Sequence, residues 1–262
     1  MTAAQDQRAV RRHVLGCPVD PVTLDHAADL AVRAMHSGGR MQHCAVNTAK
    51  LVAMRRNPEL AADVTSSDLI TADGMGLVLA ARLTGQSLPE RVTGIDLMQK
   101  LMGRCAQDGL RPYLLGARPH VLEKAASRLE AQFHGLRIAG LQHGYFSPGE
   151  EAEIVSTINA SGADCLFVAL PTPGKERFLA RHGHALNVPF VMGVGGSFDV
   201  IAGHVRRAPR WMQGAGLEWV YRLCQEPRRM WRRYLVTNSI FAVLLCRALA
   251  ARAVAASPVS DQ

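Results

Sequence analysis

The sequence predicts an α/β fold: a mostly parallel, Rossmann-like sheet with helices on both faces, followed by a helical, basic C-terminal appendage. Three observations predict it. Short apolar runs alternate with helical patterns as far as Gly203. Several of those runs are apolar at consecutive positions, as in strands buried on both faces. Beyond Gly203 the composition changes, and arginine and tryptophan take over.

The elements follow in order. "MQHCAVN" (41–47) is a strand ending at Asn47, and "AKLVAMRRNPELAADVTSS" is a helix that Pro58 breaks. "DLITAD" (68–73) is a strand, and "GMGLVLAARLTG" is a helix that stops at Gly85. "GIDLMQKLMGRCAQDG" has apolar residues at 95, 97, 98, 101 and 102, the spacing of an amphipathic helix. "RPYLLGA" is a strand ending in Gly116, and the helix "PHVLEKAASRLEAQF" follows. "LRIAGLQHGYF" is a strand and then a loop. "PGEEAEIVSTINASGA" is a helix with acids in its first turn, where the helix dipole favours them. "DCLFVAL" (164–170) is a buried strand, and "VPFVMGVGGSFD" (188–199) is a strand opening into a glycine-rich loop.

The chain has 262 residues, 48% of them hydrophobic and 20% charged, which suits a globular core. A formal net charge of +8 calls for an anionic partner. Nucleic acid, anionic lipid and phosphorylated substrates all qualify on charge. The cysteines stand at 17, 44, 105, 165, 224 and 246 without a C-x-x-C pair, the pattern of reduced, mostly buried thiols in a cytosolic protein. "MTAAQDQRAVRRHVLG" is charged and has no apolar signal-peptide core. The nearest candidate for a membrane span, "YLVTNSIFAVLLCRALAARAVAA", is interrupted by Arg247 and Arg252.

In sheets of this kind ligands bind at the carboxyl ends of the strands. Asn47, Asp73, Gly116, the loop 144–146, the stretch 171–176 and the stretch 195–199 all fall there. Asp73 is a candidate general base, able to accept a proton from an attacking hydroxyl. The plain alternative is that it caps the helix beginning at Gly74. "VGGSFD" offers backbone N–H groups to a phosphate, or is simply a turn. Asp199 binds a ligand hydroxyl, or caps the next turn. Lys175, in "PTPGKE", contacts a phosphate or a sugar carboxylate, or is a solvated helix start.

Several chemistries have no signature. There is no H-E-x-x-H, no D-x-D and no metal spacing of His with Cys, so neither a metal nor any other cofactor is expected. G-x-S-x-G, G-x-G-x-x-G and the Walker A motif are also missing. From 204 to 233 stand Arg206, Arg207, Arg210, Arg222, Arg228, Arg229, Arg232 and Arg233, opposed only by Glu218 and Glu226. Trp211, Trp219 and Trp231 are interleaved with them. Arginine mixed with tryptophan and followed by an apolar helix fits a membrane-docking surface. A basic, nucleic-acid-binding α/β protein is the rival reading, although no helix-turn-helix, zinc finger or RNP motif is present.

Together these segments resemble the WecG/TagA/CpsF family of bacterial glycosyltransferases, which serve exopolysaccharide, teichoic acid and enterobacterial antigen synthesis. The resembling residues are Asn47 in "AVNTAK", "ADGMG" (72–76), "RVTG" (91–94), "LLGARPHVLEKAASRL" (114–129), "HGYF" (143–146), "VGGSFDVIAG" (194–203), "RRAPRW" (206–211) and "GLEWVYRLCQEPRRMWRR" (216–233). The resemblance implies inverting transfer of a hexose or N-acetylhexosamine from a UDP-sugar to an undecaprenyl-diphosphate-linked sugar at the cytosolic membrane face. It implies Asp73 as the base, with Asn47 and Arg91 shaping the pocket. Arg222, Arg229 and Arg232 then neutralise diphosphate. Thr48, Gly74, Gly116, Tyr145, Lys175, Glu176, Gly195, Gly196, Asp199 and Arg207 complete the expected substrate-binding set. The family pattern Ser-Pro-Lys-Gln-Glu reads Thr172-Pro173-Gly174-Lys175-Glu176 here, so Lys175 stands where an amide is usual. That departure favours a donor such as UDP-glucose, as in xanthan-type assembly, or an acidic sugar, over UDP-N-acetylmannosamine. The expected division is a core over 1–203 and an appendage over 204–262. The expected partners are the UDP-sugar, the lipid-linked acceptor and the inner membrane face, without nucleic acid, and a homo-oligomer is compatible.

Overall fold

The computed structural model describes residues 10–256, apart from the side chains of Arg229, Ala255 and Ala256. The chain opens with a small antiparallel hairpin, β1 (Arg12–Val14) and β2 (Cys17–Val19), and helix α1 (Leu24–Ser37). Then come β3 (Met41–Val46), α2 (Thr48–Arg56), α3 (Pro58–Thr65), β4 (Leu69–Ala72) and α4 (Met75–Leu83). Next are α5 (Gly94–Asp108), β5 (Pro112–Gly116), α6 (Pro119–Gln132) and β6 (Gly140–Gln142). A single 3-10 turn leads into α7 (Glu151–Ala160), followed by β7 (Cys165–Ala169), α8 (Gly174–His182), β8 (Phe190–Gly193) and α9 (Ser197–Ile201). The C-terminal helices are α10 (Arg210–Gly214), α11 (Glu218–Gln225) and α12 (Pro227–Ala256).

The strands β3 to β8 form one parallel sheet in the order β4-β3-β8-β7-β5-β6. The expected parallel α/β sheet is therefore present. One face is covered by α1, α5, α6 and α9, through residues such as Leu97, Leu101, Leu122 and Phe198. The other face carries α2 and α4 at one end and α7 and α8 at the other, through Leu51, Leu77, Ile158 and Phe178. Two features of the sequence set the carboxyl edge. At Gly116 (φ 124°) a Cβ would lie 2.5 Å from the Ala169 carbonyl oxygen, so only glycine lets β5 and β7 close together there. Asn47 caps α2, its side-chain oxygen accepting from the Lys50 N–H at 3.0 Å.

Three details differ from the sequence expectation. The run 136–146 yields only the three-residue edge strand β6, because only its middle positions, Gly140–Gln142, pair with β5. The stretch after β8 turns into the short helix α9 rather than remaining a loop. Arg247 and Arg252 do not disqualify the last helix as a candidate span. Met230–Val254 is continuous, and by length and composition it is apolar enough to cross a membrane. Arginine keeps its backbone N–H and is a good helix former, so neither residue interrupts the backbone hydrogen bonding. The inner face of α12 (Phe241, Leu244, Leu245, Ala248) packs against the α2/α4 end of the core. The Arg252 guanidinium donates to the Leu83 carbonyl at 3.2 Å.

Candidate active site

Asp73 follows the last residue of β4, and its N–H donates to the Val46 carbonyl of β3 at 2.7 Å. The capping alternative does not hold. The residue in the N-cap position of α4 is Gly74, at φ 151°, and this helix start carries no side-chain cap hydrogen bond. Among the described residues the Asp73 carboxylate makes no hydrogen bond, so it remains available as an acceptor. Burial pushes its pKa above the ordinary carboxylate value, and the neighbouring Glu218 carboxylate pushes the same way. Arg222, Lys50 and Arg91 pull against them. A Cβ built on Gly74 would meet nothing within 4 Å, so the space in front of the turn is open. Thr48 borders the next residues: a Cβ on Gly76 would lie 2.9 Å from its hydroxyl.

"RVTG" and "RRAP" interlock. Thr93 caps α5, accepting from the Asp96 N–H at 3.2 Å and donating to the Asp96 carboxylate at 2.6 Å. Arg207 grips the same carboxylate with both terminal nitrogens, at 2.5 and 2.7 Å. Burial alone would raise the Asp96 pKa, but the Arg207 and Thr93 hydrogen bonds bring it below the ordinary value. Arg91 donates to Glu218 at 3.1 Å and to Gln213 at 3.3 Å. Both arginines therefore tie the segment after Gly203 down beside Asp73. Sequence reasoning missed Asp96 as an anchor. Its signal was the spacing Thr-x-x-Asp, a capping pattern ahead of an apolar run.

Lys175 and Glu176 are not a solvated helix start, since each is only 5% exposed. Their charges meet that of Lys50 under the carboxyl end of β8. Glu176 lies 2.8 Å from the Lys50 ammonium and 3.4 Å from that of Lys175. Gly193 leaves the room, since a Cβ there would lie 2.6 Å from the Lys175 Cδ and Cε. Burial would raise the Glu176 pKa, but the two lysines bring it down to about 2. Burial and the Lys50 charge lower that of Lys175. His43, also buried, has its pKa pushed down to about 3 by burial and by both lysines, so it is neutral. Its Nε2 meets the Thr71 hydroxyl at 2.9 Å, whereas its Nδ1 and the Glu176 Oε2 are buried without a partner among the described residues. Lys50 and His43 are further residues that the sequence did not single out.

The remaining candidates line the other end of the carboxyl edge. Gly116 closes β5 and continues into Ala117, which has positive φ. The Arg118 guanidinium donates to the Tyr145 hydroxyl at 3.3 Å, and Arg118 also feels the charge of Asp199. Arg118 is thus a fourth residue missed by sequence reasoning, within the quoted "LLGARP". Gly195 and Gly196 face open space, and no side chain caps the start of α9, so Asp199 is not a cap there. Arg232 is exposed on α12. The Arg229 side chain lies outside the described residues.

The structure therefore brings Asp73, Lys50, Arg91, Arg222 and Glu218 into one electrostatic neighbourhood, and Asp73 also acts on Arg207. It seats Lys175 and Glu176 in a buried charge cluster next to that neighbourhood through Lys50. It sets Gly116, Tyr145 and Asp199 around Arg118. A carboxylate free to take a proton, beside arginines able to meet phosphate, can activate a hydroxyl nucleophile and stabilise an anionic leaving group. A family model described as glycosyl transferase WecG/TagA/CpsF family matches residues 12–254.

Proposed function

The chain belongs to the WecG/TagA/CpsF family of glycosyl transferases, and from that premise we propose that it moves a hexose or N-acetylhexosamine from a UDP-sugar to an undecaprenyl-diphosphate-linked sugar. A family member takes a sugar donor and a lipid-linked acceptor in general. The finer reading places the reaction in exopolysaccharide or surface-glycan synthesis. The acceptor hydroxyl attacks the anomeric carbon of the donor while Asp73 takes its proton. The bond from that carbon to the β-phosphate oxygen breaks, and the electron pair leaves with UDP. Arg222, with Arg229 and Arg232 of the same segment, meets the phosphate charge through forked guanidinium donors. The observation that carries this reading is the Asp73 carboxylate, unbonded among the described residues and next to Arg91 and Arg222 at the end of a parallel strand. The family assignment lends the nucleic-acid-binding reading no support.

In the same reading, residues 204–262, of which 257–262 lie outside the described residues, are an appendage that holds the enzyme peripherally to the cytosolic membrane face. The outer face of α12 exposes Leu235, Val236 and Val243, and Leu79 and Leu83 of α4 are exposed as well. Trp211, Trp219 and Trp231 are exposed among the arginines, Trp211 at 68%. Because α12 also packs part of its inner face against the core, we read it as lying along a bilayer.

The test is a panel of UDP-sugars given with a short prenyl-diphosphate-linked sugar, read by product mass. One UDP-sugar is expected to yield a product heavier by one glycosyl residue. No product from any UDP-sugar would overturn the donor class. In flotation with anionic vesicles the protein is expected to stay bound in part at high salt, because tryptophan burial is not screened as charge is.

A further inference from the structure

We propose that Glu218 is a positioning residue for the transfer: by pairing with Arg91 it seats the C-terminal segment over the start of α4, and it sets a second carboxylate beside the base. This rests on the reading of Asp73 as that base. Glu218 opens α11, and its carboxylate takes the Arg91 guanidinium at 3.1 Å while Gln213 takes another nitrogen of the same group at 3.3 Å. The turn between α10 and α11 is in contact with α4: a Cβ on Gly216 would lie 3.0 Å from the Cβ of Met75, two residues after Asp73. Gly216 also has positive φ (74°), so its lack of a side chain serves both the turn and the contact.

The consequence is electrostatic. Asp73 is faced by Lys50 from α2, by Arg91 from the connection between α4 and α5, and by Arg222 and Glu218 from α11, and it acts on Arg207 between α9 and α10. Of these groups only Glu218 is an acid. A like charge makes a carboxylate a stronger base, and general-base efficiency rises as the pKa nears the working pH. Arg91 keeps the second carboxylate from dominating, because the pair is itself charge-neutral. Glu218 also acts on Arg207 and Tyr234, so the same side chain faces both the segment before α10 and helix α12. Seating the appendage therefore brings to the base both Glu218, which strengthens it, and Arg222, which opposes that effect.

Glu218→Gln removes the charge and keeps an oxygen for Arg91. In the full chain, the Asp73 carboxyl titration followed by carbon NMR is expected to move to lower pH. The acid limb of kcat/KM is expected to move down with it. Glu218→Asp retains the charge, so its acid limb is expected near that of the wild type. An unmoved Asp73 titration in Glu218→Gln, or an equal loss of activity at every pH, would overturn the proposal. A wild-type protein that transfers no sugar would instead sink the reading of the base. The NMR titration needs no substrate and separates the two failures.

Discussion

Asp73→Asn is expected to lower sugar transfer by roughly 10²- to 10⁴-fold, the contribution general-base catalysis makes. The fold is expected to survive. The substitution removes a carboxylate whose ionised form the folded protein disfavours through burial and the charge of Glu218. A group raised in this way costs stability at pH values where it is ionised, so the neutral amide is expected to leave the melting temperature unchanged or slightly higher. The same raised pKa sets the pH dependence of the wild type. Activity is expected to fall with decreasing pH at a point above the ordinary carboxylate range, as the base becomes protonated. Steady-state rates of the two proteins across pH, with thermal melting as the control, check both statements. Near-wild-type turnover in Asp73→Asn would remove this carboxylate from the mechanism.

Lys50→Met carries the second large effect, this time on stability. It strips a buried carboxylate of its nearest cation, 2.8 Å away, and leaves Glu176 with Lys175 at 3.4 Å and the Thr172 hydroxyl at 3.3 Å. One oxygen of Glu176 already lacks a partner among the described residues. Breaking a buried pair from one side costs about 3–5 kcal/mol. The sign with pH follows from the depressed pKa of Glu176, about 2 against an ordinary 4.5. The stability this group contributes is present in full above the ordinary value and is lost as pH falls towards 2. Losing Lys50 moves that window upward and shrinks the contribution. Urea unfolding of the wild type and of Lys50→Met at neutral pH and near pH 3 measures both effects. Equal midpoints at neutral pH would show that the pair adds nothing. Because Lys50 also lowers the Asp73 pKa, the variant is further expected to raise the acid limb of activity.

Much of the fold was legible in the sequence, for physical reasons. Runs such as "DCLFVAL" are apolar at nearly every position because β7 lies in the middle of the sheet and is covered on both faces. Asp73 stood out because it is a carboxylate at the carboxyl end of such a run, where ligands bind in parallel sheets. The strand order was not legible, since the placement of β8 between β3 and β7 depends on crossovers that leave no local mark. The hairpin β1–β2 is too short for a periodicity to show. The partners of the site charges were hidden for a related reason. Arg91 meets Glu218 across 127 positions, and Arg207 meets Asp96 across 111. Lys175 looked solvated because its neighbours in sequence are polar, whereas its neighbours in space are Gly193 and a buried ion pair. The resemblance named Arg91 and Arg207 for substrate, and the structure adds the carboxylates that hold them.

The proposed mechanism turns on one base serving one displacement at the anomeric carbon. In the neighbourhood of Asp73 the other acid among the described residues, Glu218, is held by Arg91, which leaves it poorly placed to act as a nucleophile. The anomeric configuration of the transferred sugar, read from the one-bond carbon–hydrogen coupling of the purified product, tests this most directly. A single displacement predicts the configuration opposite to that of the UDP-sugar supplied. A product that keeps the donor's configuration would contradict it.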